Sequence, residues 1–226
     1  LNMFKAEDLF DLKETAYADI FNGCEYAWDV LKKIGEYIKS NVQPQLHNQC
    51  DGVAYIGEKV FIGDGTVVED GAMIKGPAII GRNCQIRHNA YIRENVIVGD
   101  RCVIGNSCEL KNSLLFNGCE VPHFNYVGDS VLGFKAHLGA GVKISNVKLV
   151  KGNIILEIDG KKIDTGLRKF GALIGDNAQV GCNAVLNPGS IIGRNAVIYP
   201  CVNWRGILTE NMVVKNRAAV EISPRS

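Results

Sequence analysis

One histidine of the four in this chain stands among groups that could do acid–base chemistry. It is His123, in the stretch EVPHFNYVGDSVLG, residues 120–133. An imidazole titrates near neutrality, so it can take a proton from an amine nucleophile and return it to a leaving group. Tyr126 follows three residues later. A second set of residues is cationic: Lys75, Arg93 and Lys111 recur at intervals of 18. Stacked like charges repel, a cost that a bridging anion such as a phosphate would offset. A solvated strip of surface charge is the alternative. His47 and His88 read as surface or packing residues.

The interval of 18 acquires a meaning from the elements that would position these groups. Apolar residues fall at Ile56, Ile62, Val68, Ile74, Ile80, Ile86, Ile92, Val98, Ile104 and Leu110, each six residues after the last. The beat returns at Leu132, Leu138 and Ile144, and again from Ile174 through Val180, Leu186, Ile192 and Ile198. A six-residue period fits neither a helix nor a simple alternating strand. It fits a parallel β-helix, in which each hexapeptide forms a short strand and a corner. Three hexapeptides then make one coil, and residues 18 apart stack at the strand spacing of ~4.8 Å. Lys75, Arg93 and Lys111 would form an outward ladder. Cys84, Cys102 and Cys108 occupy the small position of the repeat and read as small core residues.

The repeat spans about 51–204. It is interrupted around 117–126, and again over 146–173, where apolar alternation around Asp159-Gly160 predicts a projecting β-hairpin. Residues 1–50 form a separate helical segment, with Ala27, Val30, Leu31, Ile34, Tyr37 and Ile38 at helical spacing and Trp28 packed beside them. Residues 205–226 read as a polar, basic tail.

Composition narrows the function further. Lys and Arg number 25 against 24 Asp and Glu, which gives no global charge for nucleic acid or an anionic membrane. No apolar run has the length of a membrane span, and the opening LNMFKAEDLFDLKE does not read as a secretory leader. A cytoplasmic location is expected. None of the eight cysteines forms a C-x-x-C pair.

Three stretches together carry a more specific signal. EVPHFNYVGDSVLG, AHLGAGVKISN and TGLRKFGALIGDNAQVGCNAVLNPGSIIG resemble the acetyltransferase domain of the bifunctional glucosamine-1-phosphate acetyltransferase/UDP-N-acetylglucosamine pyrophosphorylase family. The resemblance covers about 51–217 and implies a mainly β protein, a left-handed parallel β-helix that forms homotrimers. The implied activity moves acetyl from acetyl-CoA to the amine of an amino-sugar 1-phosphate, with no metal. His123 then falls on the catalytic histidine and Glu109 on a glutamate near it, a candidate to orient the imidazole ring and stabilise the imidazolium. Arg93, Lys111, Tyr126 and Lys169 fall on sugar-phosphate positions. Ala140, Asn146, Cys182, Pro200 and Arg217 fall on acetyl-CoA positions. Backbone N–H groups of Gly139–Gly141 are candidates for the oxyanion.

His137 departs from the family, which has asparagine there in its sugar-binding set. No counterpart of the family's nucleotidyltransferase half appears in residues 1–50, so no pyrophosphorylase activity is expected of this chain. Two rival functions stay open: a scaffold or sugar-nucleotide-binding subunit, and an N-acetyltransferase for a nucleotide-linked amino sugar. A zinc site like that of γ-class carbonic anhydrases, also built on a β-helix, needs two histidines five residues apart, a spacing not found here.

Overall fold

The computed structural model describes residues 4–46, 49–158, 160–216 and 224. The readings made for His47 and Arg217 lie outside the described residues.

From Gln45 onward the chain winds as a left-handed parallel β-helix of short strands stacked in three faces. One face holds Val60–Ile62, Ala78–Ile80 and Val96–Val98; the next holds Val67–Glu69, Gln85–Ile86 and Val103–Asn106; the third holds Tyr55–Ile56, Met73–Ile74 and Tyr91–Ile92. The predicted beat points inward. Ile62, Val68, Ile74, Ile80, Ile86, Ile92, Val98, Ile104 and Leu110 are all fully buried. Each hexapeptide turns its corner through a residue of positive φ. Asn83, Asn89, Asn95, Arg101 and Ser107 have φ of 53–60°, a conformation that asparagine tolerates better than most side chains. Successive coils also approach closely. A Cβ on Gly105 would lie 1.5 Å from the Pro122 carbonyl oxygen, so only glycine fits there.

The ladder runs beyond the predicted limits at both ends. Gln45–Leu46 pairs with the strand at Phe61 and Ile62. Ile207–Leu208 and Val213–Val214 pair with Ile191–Ile192 and Val197–Ile198. The stretch read as a tail therefore completes a further coil up to Val214. Its beat is hard to see because Ile192 pairs Leu208, at a shortened interval.

The break in the rhythm also lies elsewhere than the sequence suggests. Ile92 pairs Leu110, eighteen residues on, but Val96 pairs Ser113, seventeen on. The same shortening recurs between Val127 and Ser130, which pair Leu110 and Ser113. Two stacked corners, Lys111–Asn112 and Gly128–Asp129, are each one residue short. The core beat therefore passes through Leu115, Val121, Val127 and Leu132, while Phe116 turns outward and Tyr126 stands outside the core. Asn112 and Asp129 take φ of 43° and 49° at these corners. The strands Glu109–Leu115 and Tyr126–Leu132 run straight through them, which joins two faces into one 15-stranded sheet.

One face of the prism is apolar on its outer side as well. Ile79, Ile97, Leu114, Val131, Leu173 and Ile191 form a buried outward column. The N-terminal segment covers it. The expected helix over Ala27–Ile38 divides at Lys33 into a 3-10 turn, Ala27–Lys32, and an α-helix, Ile34–Asn41. Trp28, Val30, Leu31, Ile34 and Ile38 pack on the column, each fully buried large side chain contributing about 1.5–3 kcal/mol. The hairpin Ile155–Ile158/Lys161–Asp164 forms as predicted. It folds back rather than projecting: Ile154, Leu156 and Ile158 join the same cluster. Asp176 ties the segment to the helix, its carboxylate accepting from the backbone N–H of Asp11 at 2.6 Å and of Phe134 at 2.7 Å. Burial holds the Asp176 carboxyl above the usual range, against the pull of those two donors.

The cysteines do more than fill space. Thr66, Cys84, Cys102 and Cys119 occupy one corner on successive coils. The Thr66 hydroxyl donates to the Gly81 carbonyl at 2.7 Å, and the thiols of Cys84, Cys102 and Cys119 donate to the carbonyls of Gly99, Phe116 and Gly133 at 3.1, 3.1 and 3.0 Å. A hydroxyl and a thiol thus do the same task. Cys102→Ala is expected to lose about 1–3 kcal/mol by stranding the Phe116 carbonyl. Cys102→Thr should retain more stability, as Thr66 illustrates. Urea denaturation of both variants checks this; an alanine variant more stable than the threonine variant would remove the hydrogen bond from the account.

Candidate active site

The corner between the second and third faces carries a column of candidate residues. Phe124 N–H donates to the Asn106 carbonyl, Gly141 N–H to His123, Asn183 N–H to Ala140, and Cys201 N–H to Cys182. His123, Ala140, Cys182 and Pro200 therefore follow one another on consecutive coils along one edge. At ~4.8 Å per coil, three steps separate His123 from Pro200 by roughly 14 Å. The sequence order hides this, because 24 residues of insertion intervene between the coils of Ala140 and Cys182 that are otherwise stacked like the rest.

His123 ends the strand Glu120–His123 with its side chain exposed. Asn125, buried beneath, fixes this corner. Its Oδ1 accepts from His123 N–H at 3.0 Å and its Nδ2 donates to the Gly139 carbonyl at 2.7 Å. Sequence reasoning missed Asn125 as a site residue, although it stands two positions from the histidine.

Around the third face the polar groups form a second cluster. Asp129 is 4% exposed. Its carboxylate accepts from Asn112 Nδ2 at 2.9 Å and from Asn146 Nδ2, and Lys111 Nζ lies 3.6 Å away. Asn146 Nδ2 also donates to the Tyr126 hydroxyl at 3.2 Å. Burial first, then the carboxylates of Glu109 and Asp129, push the Tyr126 phenol up, so it remains a neutral donor and acceptor. Gly128 is needed beside it: a Cβ there would meet the Tyr126 hydroxyl at 2.6 Å and Asn146 Nδ2 at 2.7 Å. Nothing in the sequence separates Asp129 from other aspartates, because its role arises from the shortened corner.

The cationic ladder stacks in the predicted register, with Ile74, Ile92 and Leu110 paired just before its three members. Two of its three charges are paired. Arg93 pairs with Glu109 at 2.9 Å and with Glu94 at 3.4 Å, and Lys111 lies against Asp129. Carboxylates of the protein thus supply the compensation that the sequence reading assigned to an anion. Glu109 faces Arg93 and has no hydrogen bond to His123, so its expected role in orienting the imidazole gives way to neutralising Arg93. Burial alone would raise the Glu94 carboxyl; its own backbone N–H, Arg93, Lys111 and Lys75 outweigh that and hold it below its ordinary value.

The residues expected to meet acetyl-CoA divide. Cys182 and Pro200 line an open groove of about 290 Å³ together with His137, Gly139, Gln179 and Tyr199. Ala140 borders it at the next position along the chain. Gly139 N–H already donates to Val180, and Gly141 N–H to His123. Among the described residues, the Ala140 N–H is the one amide of the three with no acceptor, which narrows the oxyanion candidates to it. Asn146 is not at the groove; it is held in the Asp129–Tyr126 cluster. His137, expected on the sugar side, lies on the groove, with Nδ1 2.8 Å from Glu120 Oε2. Lys169 is exposed beside Val147 on an isolated antiparallel bridge at the foot of the insertion. Among the described residues, no three of His, Cys, Asp or Glu come together to hold a metal ion, and no helix is long and apolar enough to cross a membrane.

Two family models match parts of the chain. Residues 74–157 match the family model described as GMPPB C-terminal domain, and residues 171–203 match that of the bacterial transferase hexapeptide, six repeats. Both matches lie on the β-helix. The chain is 40% identical over 88 residues to a bifunctional sugar-1-phosphate nucleotidylyltransferase/acetyltransferase of Sulfurisphaera tokodaii, a match covering 39% of this chain and 22% of that protein. It is 35% identical over 104 residues to the bifunctional protein GlmU of Methanococcus vannielii, covering 46% of this chain and 25% of that protein. The chain thus spans about a quarter of the length of these relatives.

Proposed function

We propose that this protein is an N-acetyltransferase that uses acetyl-CoA to acetylate the amine of an amino-sugar 1-phosphate, with glucosamine 1-phosphate as the first candidate acceptor. One observation carries the reading. His123 and Ala140 share an edge of the prism with the groove residues Cys182 and Pro200, and the Lys111–Tyr126 cluster occupies the adjoining face of the same coils. A linear edge suits the long, narrow arm of coenzyme A. A flat face with cations and a tyrosine suits a phosphorylated sugar. The names of the relatives, which include sugar-1-phosphate nucleotidylyltransferase/acetyltransferase, point the same way.

The chemistry follows from these positions. The acceptor amine must be neutral to attack the thioester carbonyl, and His123 takes its proton as the N–C bond forms. Negative charge then develops on the carbonyl oxygen, and the Ala140 N–H, which has no acceptor among the described residues, is the donor this reading assigns to it. The C–S bond breaks as the intermediate collapses, and the imidazolium returns the proton to the departing thiolate. Arg93 and Lys111 hold the 1-phosphate, with Glu94 and Glu109 fixing the Arg93 guanidinium in position. The test is thiol release from acetyl-CoA with a panel of amino-sugar 1-phosphates and nucleotide-linked amino sugars. Preference for a 1-phosphate supports the assignment; preference for a nucleotide-linked sugar, or no transfer to any amine, rejects it.

The reading also places the sites between subunits of a homotrimer. With the N-terminal segment on one face, association must use the other two. Tyr55, Met73 and Tyr91 stack in register on one of them, with Tyr55 57% exposed. An apolar strip of this kind favours association. Sedimentation equilibrium should give three chains per particle; a stable monomer at working concentration counts against the shared-site arrangement.

A further inference from the structure

Asp129 is a buried carboxylate for which the mechanism above has no step. It sits in a corner shortened by one residue, at φ 49°, and its surroundings are fully specified. One oxygen accepts from Asn112 Nδ2, the other from Asn146 Nδ2, and Lys111 Nζ lies 3.6 Å from the second. Its backbone carbonyl accepts from Gly171 N–H at 2.8 Å, which closes the base of the insertion. Asn112 Nδ2 in turn donates to the Leu31 carbonyl of the N-terminal segment at 3.2 Å. Burying an ionised carboxylate is costly without such partners. The burial is most simply understood if the carboxylate is there to aim the groups around it.

We infer that Asp129 is a positioning residue: it holds the Lys111 ammonium and, through Asn146, the Tyr126 hydroxyl in the arrangement that receives the acceptor's phosphate. This rests on the function proposed above, and it adds a residue and a role that the proposed chemistry does not contain. The physical ground is the side chain of Lys111. A lysine carries a mobile point charge on a flexible stem. The Lys111 side chain is only 16% exposed, and it lies in ionic contact with Asp129. Without that carboxylate the ammonium has no fixed direction, and the hydroxyl of Tyr126 loses the amide that orients it. Asp129 touches no substrate in this account. It acts through Lys111 and Asn146.

The experiment is a double-mutant cycle on the full chain with Asp129→Asn, Lys111→Ala and the pair together. Two readouts are used: KM for the phosphorylated acceptor and for acetyl-CoA, and the affinity of the protein for inorganic phosphate by calorimetry. Asp129→Asn keeps the size of the side chain and one acceptor oxygen. It should raise the acceptor KM and weaken phosphate binding about tenfold, while the acetyl-CoA KM stays within a factor of about two. In the Lys111→Ala background the same substitution should have little further effect on either, because the group it acts through is gone. Additive effects overturn the inference, as do equal losses for both substrates or unchanged phosphate affinity in Asp129→Asn. The phosphate measurement needs no acetyl transfer. Wild-type protein that binds phosphate with the predicted coupling but transfers no acetyl group sinks the proposed reaction and leaves the positioning role standing. Wild-type protein that binds no phosphate sinks the positioning role whatever the kinetics show.

Discussion

His123→Ala is expected to lower kcat for acetyl transfer by about 10²–10⁴-fold, the usual cost of removing a general base. Affinity for acetyl-CoA should change little, because the groove is built by His137, Gly139, Cys182 and Pro200 on other coils. The fold should also survive. The His123 side chain is exposed, and the corner is fixed by its backbone and by Asn125. Steady-state kinetics with calorimetric binding of acetyl-CoA separate the two effects. Turnover at the wild-type level would make His123 a bystander and remove the base from the mechanism.

Trp28→Ala should be the most damaging single change outside the site. Trp28 is 1% exposed, stacks on Tyr26 at 4.5 Å between ring centroids and lies 6.1 Å from Phe170. Truncating a buried tryptophan costs about 3–5 kcal/mol. For a domain of this size that lowers the thermal midpoint by roughly 6–20 °C. The loss should not be confined to the N-terminal segment. Phe170 follows Lys169, and its N–H donates to the Asn146 carbonyl at 2.9 Å. A loosened Phe170 should therefore weaken hydrogen-exchange protection at the foot of the insertion. A midpoint unchanged within about a degree would mean that the segment is an ornament on a self-sufficient β-helix.

The sequence displays the body of this fold because one physical demand recurs with one period. Every hexapeptide must bury one residue, so Ile62 through Leu110 keep time without a miss. What defeats the reading is a change of period that conserves hydrophobicity. Phe116 is as apolar as the residue the beat calls for, but Leu115 takes the core and Phe116 the outer cluster. The deficit arises at Lys111–Asn112, two polar residues on a corner, where a missing neighbour leaves no mark in the apolar pattern. The outward column of Ile79, Ile97 and Leu114 was equally open to inspection. It reads as ordinary strand hydrophobicity until something is known to cover it.

At the site, His123, Ala140, Cys182 and Pro200 stack along one edge, but the partners of the residues brought by resemblance do not follow from it. Glu109 meets Arg93 rather than His123. Asn146 serves Asp129 and Tyr126 rather than the groove, and Asn125 and Asp129 emerge from coordinates alone. Hydrogen-bond partners depend on which corner stacks on which. That in turn depends on the seventeen-residue coils, whose position only the strand register reveals.

The cysteine column has a use in the laboratory. Cys84, Cys102 and Cys119 sit on successive coils with thiols at most 1% exposed, whereas Cys182 and Cys201 are at the surface. Contact with Cys102 and burial push the Cys84 thiol up, and burial with Cys119 does so for Cys102. None of the three is reached by a reagent while its coil is closed, because all three are buried. Each therefore acts as a built-in timer. After the accessible thiols are blocked, the rate at which an alkylating reagent captures each buried one measures how often that single coil opens. The prism can in this way report, coil by coil, where it frays and where it holds.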